Sequence, residues 1–188
     1  QIVGAGAGKT TVTCSTCVAS ESVLIIRSGE SAATVLANFT LYSTQLKGMR
    51  VTSAFTAPTF EGIAFRATLS VEAGSAPAFR RCSFAMPSNV SSAVLVFSAR
   101  PRFEDCSFRA SLTLNAMVLT GFADLLCRRC SFTGFRNGAL AADGLRQSKV
   151  TLIGCAFVRN GFAQNGALFT ARADRYCVCR RSNSVHLF

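Results

Sequence analysis

Tryptophan is absent from this 188-residue chain, histidine occurs once, and only nine residues are acidic. The single histidine, His186, is the third residue from the end of the sequence, with no relay partner for a nucleophile near it in sequence. Nine carboxylates spread over the whole length are too few to form the dense acidic clusters that calcium-dependent or paired-carboxylate chemistry uses. No apolar stretch is long enough to span a membrane. Helical spacing of apolar residues is absent too, which argues against an α-helical core.

What is present is equally uneven. Lysine and arginine total 20, only three of them lysine, and the formal net charge is +11. Such a surface favours polyanions, whether acidic polysaccharide, sulfated glycan, nucleic acid or an acidic protein face. Sixteen phenylalanines against two tyrosines, together with nine cysteines, suggest one kind of buried position used repeatedly. The length suits a single domain with a real core.

Self-similarity accounts for both surpluses. FEGIAF at 60–65, FRRCSF at 79–84, FEDCSF at 103–108 and CRRCSF at 127–132 align directly, with LIGCAF at 152–157 and LANFTL at 36–41 completing a set of six. Their last residues are separated by 24, 19, 24, 24 and 25 positions. Within each block the final three positions alternate as a half-buried strand does, and the two-residue gap before them marks a bend. Pro58, Pro77 and Pro101 stand two residues before the first apolar position, where they start a strand but would break a helix.

These features predict an all-β right-handed parallel β-helix of about seven coils of roughly 24 residues, with three short strands and three bends per coil. Residues 1–188 then form one domain: 1–20 a cap or first coil, 36–170 the regular coils, 171–188 a cap or tail. Stacking in register gives three inward columns: Leu36, Phe60, Phe79, Phe103, Cys127 and Leu152; Phe39, Ile63, Cys82, Cys106, Cys130 and Cys155; Leu41, Phe65, Phe84, Phe108, Phe132 and Phe157. The two bend columns, Glu61-Arg80-Glu104-Arg128 and Gly62-Arg81-Asp105-Arg129, alternate in charge from coil to coil. They predict ion-pair ladders between coils.

From Cys130 the text reads CSFTGFRNGALAADG, then VTLIGCAFVRNGFAQNGALFTA. FVRN at 157–160 fits a Phe-x-x-Asn element, and NGAL at 137–140 and 165–168 a degenerate Gly-Gly-Ala-aliphatic one. This resembles the repeats of polymorphic outer membrane proteins and related extracellular right-handed β-helix proteins. The coil pattern covers about 58–170, the specific motifs only the last two coils. The resemblance implies a secreted or surface-exposed adhesin, wall component or scaffold.

GAGAGKTT at 4–11 has the look of a phosphate-binding loop, but the glycine such a loop needs five residues before Gly8 is Val3, and Gly4 leaves the loop one residue short. A Gly-rich turn into the first coil is the better reading. Cys82, Cys106, Cys130 and Cys155, with Cys127 beside them, read as core filling. Cys14, Cys17, Cys177 and Cys179 are the disulfide candidates. The pairs Cys14/Cys17 and Cys127/Cys130 raise a zinc reading, but they lie several coils apart, so neither metal nor cofactor is expected. Asn38 and Asn89 head glycosylation sequons, consistent with secretion; no signal peptide is legible at Gln1, which fits an intracellular chain or a leader already removed.

No catalytic set emerges. The nearest imitation of pectate lyase-like β-helix enzymes, which use clustered aspartates for calcium and an arginine base, is Glu104, Asp105 and Arg129, and each carboxylate faces arginines. Binding has better support: Arg80, Arg81, Arg128 and Arg129 on one edge, joined by Arg100, Arg102 and Arg109, with Arg172, Arg175, Arg180 and Arg181 toward the C-terminal end. Guanidinium forks suit carboxylate and sulfate. Nucleic acid is disfavoured because the predicted strands carry no exposed aromatic platform. The expectation is a noncatalytic structural or adhesive module of a wall, surface or matrix assembly, with protein neighbours and acidic glycans as partners. The alternative is a polysaccharide lyase or hydrolase of pectate lyase-like type.

Overall fold

Phenylalanine every coil, on alternating strand positions, can be buried only if successive coils lie directly on one another, and that is the arrangement found. The structure, a computed structural model, describes residues 2–6, 8–14, 22–86, 90–110, 115–143, 149–160, 170–171 and 177–180. Of residues 2, 14, 44–47, 142–143 and those beyond 160, only the backbone is described. Every strand pairs in parallel with the strand one coil away, and no helix occurs among the described residues.

The chain is an all-β parallel solenoid. Its first face is an eight-stranded sheet running in coil order through Ile2–Val3, Val35–Ala37, Thr59–Glu61, Ala78–Arg80, Arg102–Glu104, Asp124–Arg128, Lys149–Ile153 and Cys177–Arg180. The second face carries Ser83–Met86, Ser107–Ala110, Ser131–Thr133 and Ala156–Val158, and the third Ser92–Phe97, Asn115–Thr120 and Gly138–Asp143. In two coils the second and third faces are one strand, Thr40–Val51 and Ala64–Glu72, so these faces belong to a single sheet.

The solenoid makes about five turns rather than the seven expected. Six repeat blocks bound five complete coils, and Ile2–Val3 and Cys177–Arg180 extend the first face by one strand at each end. Of the two unbroken strands, Thr40–Val51 keeps the 24-residue spacing with extra residues at its register shifts, whereas the shorter, Ala64–Glu72, explains the 19-residue spacing between Phe65 and Phe84. Ala67, Thr68 and Leu69 all turn inward there, so the chain rounds the corner without a loop. Leu69 pairs with Val94, and Leu69 stands four positions after Phe65 where Val94 stands ten after Phe84.

The three inward columns form as the repeats predict. Phe60 aligns with Leu36 and Phe79, Phe103 with Phe79 and Cys127, Phe84 with Phe65 and Phe108, and Phe132 with Phe108 and Phe157. All are buried except Phe157, which is half-buried against the core. Rings within a column stack 4.6–4.9 Å apart and within about 10° of parallel, as in Phe84–Phe108 at 4.6 Å and Phe132–Phe157 at 4.9 Å. The two columns meet edge to face: Phe79–Phe84 at 6.2 Å and 68°, Phe103–Phe108 at 5.6 Å and 72°. Pro58, Pro77 and Pro101 turn inward immediately before their first-face strands.

Phe108 touches rings above, below and beside it. Phe108→Ala should therefore lower stability by about 3–5 kcal/mol in denaturant titration, and Phe108→Asp should abolish soluble expression. A well-folded Phe108→Asp protein would refute this register.

Candidate functional site

The corner between the first and second faces concentrates the charged residues, and its backbone is unusual. Asn38, Gly62, Arg81, Asp105, Arg129 and Gly154, one per coil, all have positive φ, between 51° and 61°. Gly, Asn and Asp enter this left-handed region readily; for arginine the conformation costs roughly 1–2 kcal/mol. The amide of each corner residue donates to the carbonyl preceding the next corner, as in Arg81 N to Glu104 O at 2.9 Å and Asp105 N to Arg128 O at 3.0 Å. The corner is thus a hydrogen-bonded stack of its own, which holds the arginines in register.

Charge pairing follows the predicted alternation but also runs diagonally. Arg129 clamps two carboxylates at once: Nε to Asp105 Oδ1 at 2.7 Å, Nη2 to Asp105 Oδ2 and to Glu104 Oε1, each at 2.8 Å. Arg81 pairs with Glu61 in the neighbouring bend column, and Arg80 reaches Glu104 at 3.9 Å. The Arg129 guanidinium beside Asp105 holds its carboxyl below the usual carboxylate range, and Asp105, then Glu104, push the Arg129 value further up. A base must give up its proton, so this arrangement opposes the role an arginine plays in a lyase.

The thiols do more than fill space. Cys82 Sγ donates to Phe60 O and Arg80 O at 3.6 and 3.4 Å. Cys106 does the same to Phe79 O and Glu104 O, Cys130 to Phe103 O and Arg128 O, and Cys155 to Cys127 O and Ile153 O. Each thiol thus ties the corner carbonyl of its own coil to the first face of the coil before. These four and Cys127 are buried and unbridged. Burial pushes the Cys127 thiol well up; for Cys155 the hydrogen bond with Cys130, then burial, act in the same direction. Among the described residues, no group of three or more His, Cys, Asp or Glu is placed to hold a metal ion.

The Gly-rich segment occupies the same corner in the first coil. Ile2 and Val3 align with Leu36 and Ala37, and Thr11 with Thr40, so residues 4–10 span a bend that two residues span one coil later. Its amides are engaged by the protein itself: Gly4 N to Ala37 O, Gly6 N to Asn38 O, Gly8 N to Thr40 Oγ1, Lys9 N and Thr10 N to Gly6 O. None of these is left to cradle a phosphate.

The remaining candidates divide among surfaces. Arg100, Arg102 and Arg80 line a groove on the outside of the first face, with Lys149 and Asp124. Arg109 stands exposed on the second face, aligned with Ala85 and Thr133. Arg128 is exposed at the corner. Arg100, Arg102, Arg109 and Arg128 make no ion pair with a described residue. Asn38 is exposed. Asn89, Cys17, His186, Arg172, Arg175 and Arg181 lie outside the described residues, as do the side chains of Cys14, Cys177, Cys179 and Arg180.

Exposed aromatics were missed in the sequence pattern. Phe97 ends a third-face strand 57% exposed, Tyr42 lies on an outer strand position, and Phe55 and Phe122 stand out from the corner leading back to the first face. The strands therefore do carry exposed aromatic rings. Alternation was the available signal: Phe97 falls one position after the inward Val96, out of phase with the core columns.

The fold defines a class, a parallel β-solenoid with arginine-bearing outer faces. The chain matches no protein-family model, no curated protein and no solved structure.

The Asp105 carboxyl is held lower in the folded chain than unfolded, so its contribution to stability is present above about pH 3.9 and is lost as pH falls through the lower folded value. Between neutral pH and about pH 2 the native chain should lose more stability than Asp105→Asn, which keeps a residue tolerant of the left-handed corner; identical pH profiles would show that the clamp stabilises nothing. Alkylation of the folded protein should spare Cys82, Cys106, Cys127, Cys130 and Cys155 until denaturant is added, with peptide mass mapping as the readout. Labelling of Cys106 in the native state would contradict the closed thiol column.

Proposed function

We propose that the chain is a noncatalytic structural or adhesive module of a surface or extracellular assembly, which engages acidic glycans through its arginine-bearing faces. The observation that carries this reading is the distribution of charge left after internal pairing. Glu61, Glu104 and Asp105 are consumed by Arg80, Arg81 and Arg129, while Arg100, Arg102, Arg109 and Arg128 face outward with no described partner. A surplus of guanidinium on a rod held rigid by stacked rings suits repeated contact with an extended polyanion.

The likeness of 130–170 to polymorphic outer membrane protein-type repeats supports the extracellular part of the proposal. Five reduced cysteines are compatible with it because all are buried, which shelters them from oxidants. The pectate lyase-like alternative gains nothing from the Glu104–Asp105–Arg129 clamp, whose carboxylates are spent on their own arginine.

Salt-gradient elution from heparin and pectate columns tests the binding claim. Retention beyond physiological ionic strength on at least one matrix is expected, and elution from both at low salt would overturn it. Release of unsaturated oligouronides from pectate by the purified protein would overturn the noncatalytic claim.

A further inference from the structure

The groove on the first face differs from the charged corner in that its cations, Arg80 apart, make no ion pair with a described residue. Three outward columns form its floor and walls. One runs Ala57, Ala76, Arg100, Asp124, Lys149, as the ladder hydrogen bonds Ala76 N–Thr56 O, Arg100 N–Ser75 O, Asp124 N–Ala99 O and Lys149 N–Ala123 O require. The next runs Thr59, Ala78, Arg102, Leu126, Thr151. The third contributes Arg80. Small side chains at one end leave the sheet surface low, and the longer Arg100, Arg102 and Lys149 rise beside it. The result is a groove of about 690 Å³. It crosses five strands and so extends about 19 Å along the axis.

Pro101 is buried between Arg100 and Arg102. With the proline turned inward, Arg100 and Arg102 both leave the backbone on the outer side, their Cα atoms about 6.6 Å apart along the chain. Arg102 has Ala78 on one side in the ladder and Leu126 on the other, so no neighbouring coil offers it a carboxylate. Arg100, Arg102 and Lys149 make no ion pair with a described residue, and Asp124, although aligned with Lys149, makes none either.

We infer that this groove is the glycan site of the chain and that its ligand is a linear polysaccharide bearing carboxylates, lying along the solenoid axis. The inference rests on the polyanion reading above and narrows it to one surface and one chemistry. Arg100 and Arg102 fork the carboxylates. Asp124 accepts hydrogen bonds from sugar hydroxyls, and Thr151 offers a hydroxyl at one end. A carboxylate amid the cations suits a ligand that is both anionic and rich in hydroxyl donors, and is unfavourable for one that is only anionic. No aromatic side chain lines the groove, so bases would find nothing to stack on. Phe55, Phe97 and Phe122, the exposed rings, lie outside it.

The test is titration of the purified chain with a labelled oligogalacturonate, a labelled oligothymidylate and inorganic polyphosphate, each at fixed low salt. Arg100→Gln/Arg102→Gln should weaken oligogalacturonate binding at least about tenfold, while Arg66→Gln/Arg136→Gln, at exposed arginines outside the groove, changes it by less than about threefold. All four positions are outward, and an unchanged circular dichroism spectrum and thermal transition would establish that the variants fold. Asp124→Asn should weaken oligogalacturonate and tighten polyphosphate. If the native chain binds oligogalacturonate and the groove variants bind equally well, the site is elsewhere and only this inference fails. If the native chain binds none of the three, the wider polyanion reading fails with it. Tightening of both ligands by Asp124→Asn, or oligothymidylate binding lost through the groove variants with oligogalacturonate unaffected, would overturn the assignment to a polysaccharide.

Discussion

Two columns of phenylalanine rings, each stacked face to face and meeting the other edge to face, set the terms for everything else in this solenoid. Parallel strands in a sheet are about 4.8 Å apart, and the stacked rings here are 4.6–4.9 Å apart. Backbone pairing and ring packing therefore share one period, and neither strains the other. The edge-to-face contacts between Phe65, Phe79, Phe84, Phe103 and Phe108 then fix how the first and second faces approach. A ring at the first position of a repeat and a ring at the sixth can meet this way only if the chain turns sharply between them. The left-handed corner residue supplies that turn. In the four coils after those of Phe39 and Ile63, the third inward residue is small and offers a donor to carbonyls that the corner directs inside. Cysteine meets both needs: compact, apolar overall, and a weak hydrogen-bond donor.

The columns were legible in the sequence because in-register stacking repeats each buried position six times, so that FRRCSF and FEDCSF carry the same information twice. Other features were not legible, for physical reasons that differ. Left-handed geometry at the corner is signalled by Gly62, Asn38, Asp105 and Gly154, but Arg81 and Arg129 occupy the same conformation and hide the signal. Diagonal pairing of Arg81 with Glu61 depends on side-chain reach, which register alone does not determine. The fusion of the second and third faces in Ala64–Glu72 was available only as an irregular spacing, 19 residues among 24s. The groove is the least legible element, since it depends on which outward residues are small over five coils and leaves no motif in any one of them.

Charge is handled differently on each side of the rod. At the first corner, arginine faces glutamate and aspartate, and the positive residues serve the structure. On the first face the same residue type stands over alanine and threonine, with Asp124 the one carboxylate in the groove. The net charge of +11 is thus a sum over two populations, one internal to the scaffold and one presented to solvent. Their separation follows from the two-residue bend: acidic residues cluster at its positions, while the outward positions of the preceding strand carry only Asp124.

The unbroken strands Thr40–Val51 and Ala64–Glu72 make one junction of the solenoid unlike those that follow. Seven aligned residue pairs join these two coils across the second and third faces, and in the coils that follow the same faces are joined by separate short strands. Contacts in a solenoid run only between neighbouring coils, so tension applied along the axis is borne in series by every junction. The junction least well held therefore sets the load at which the coils first part.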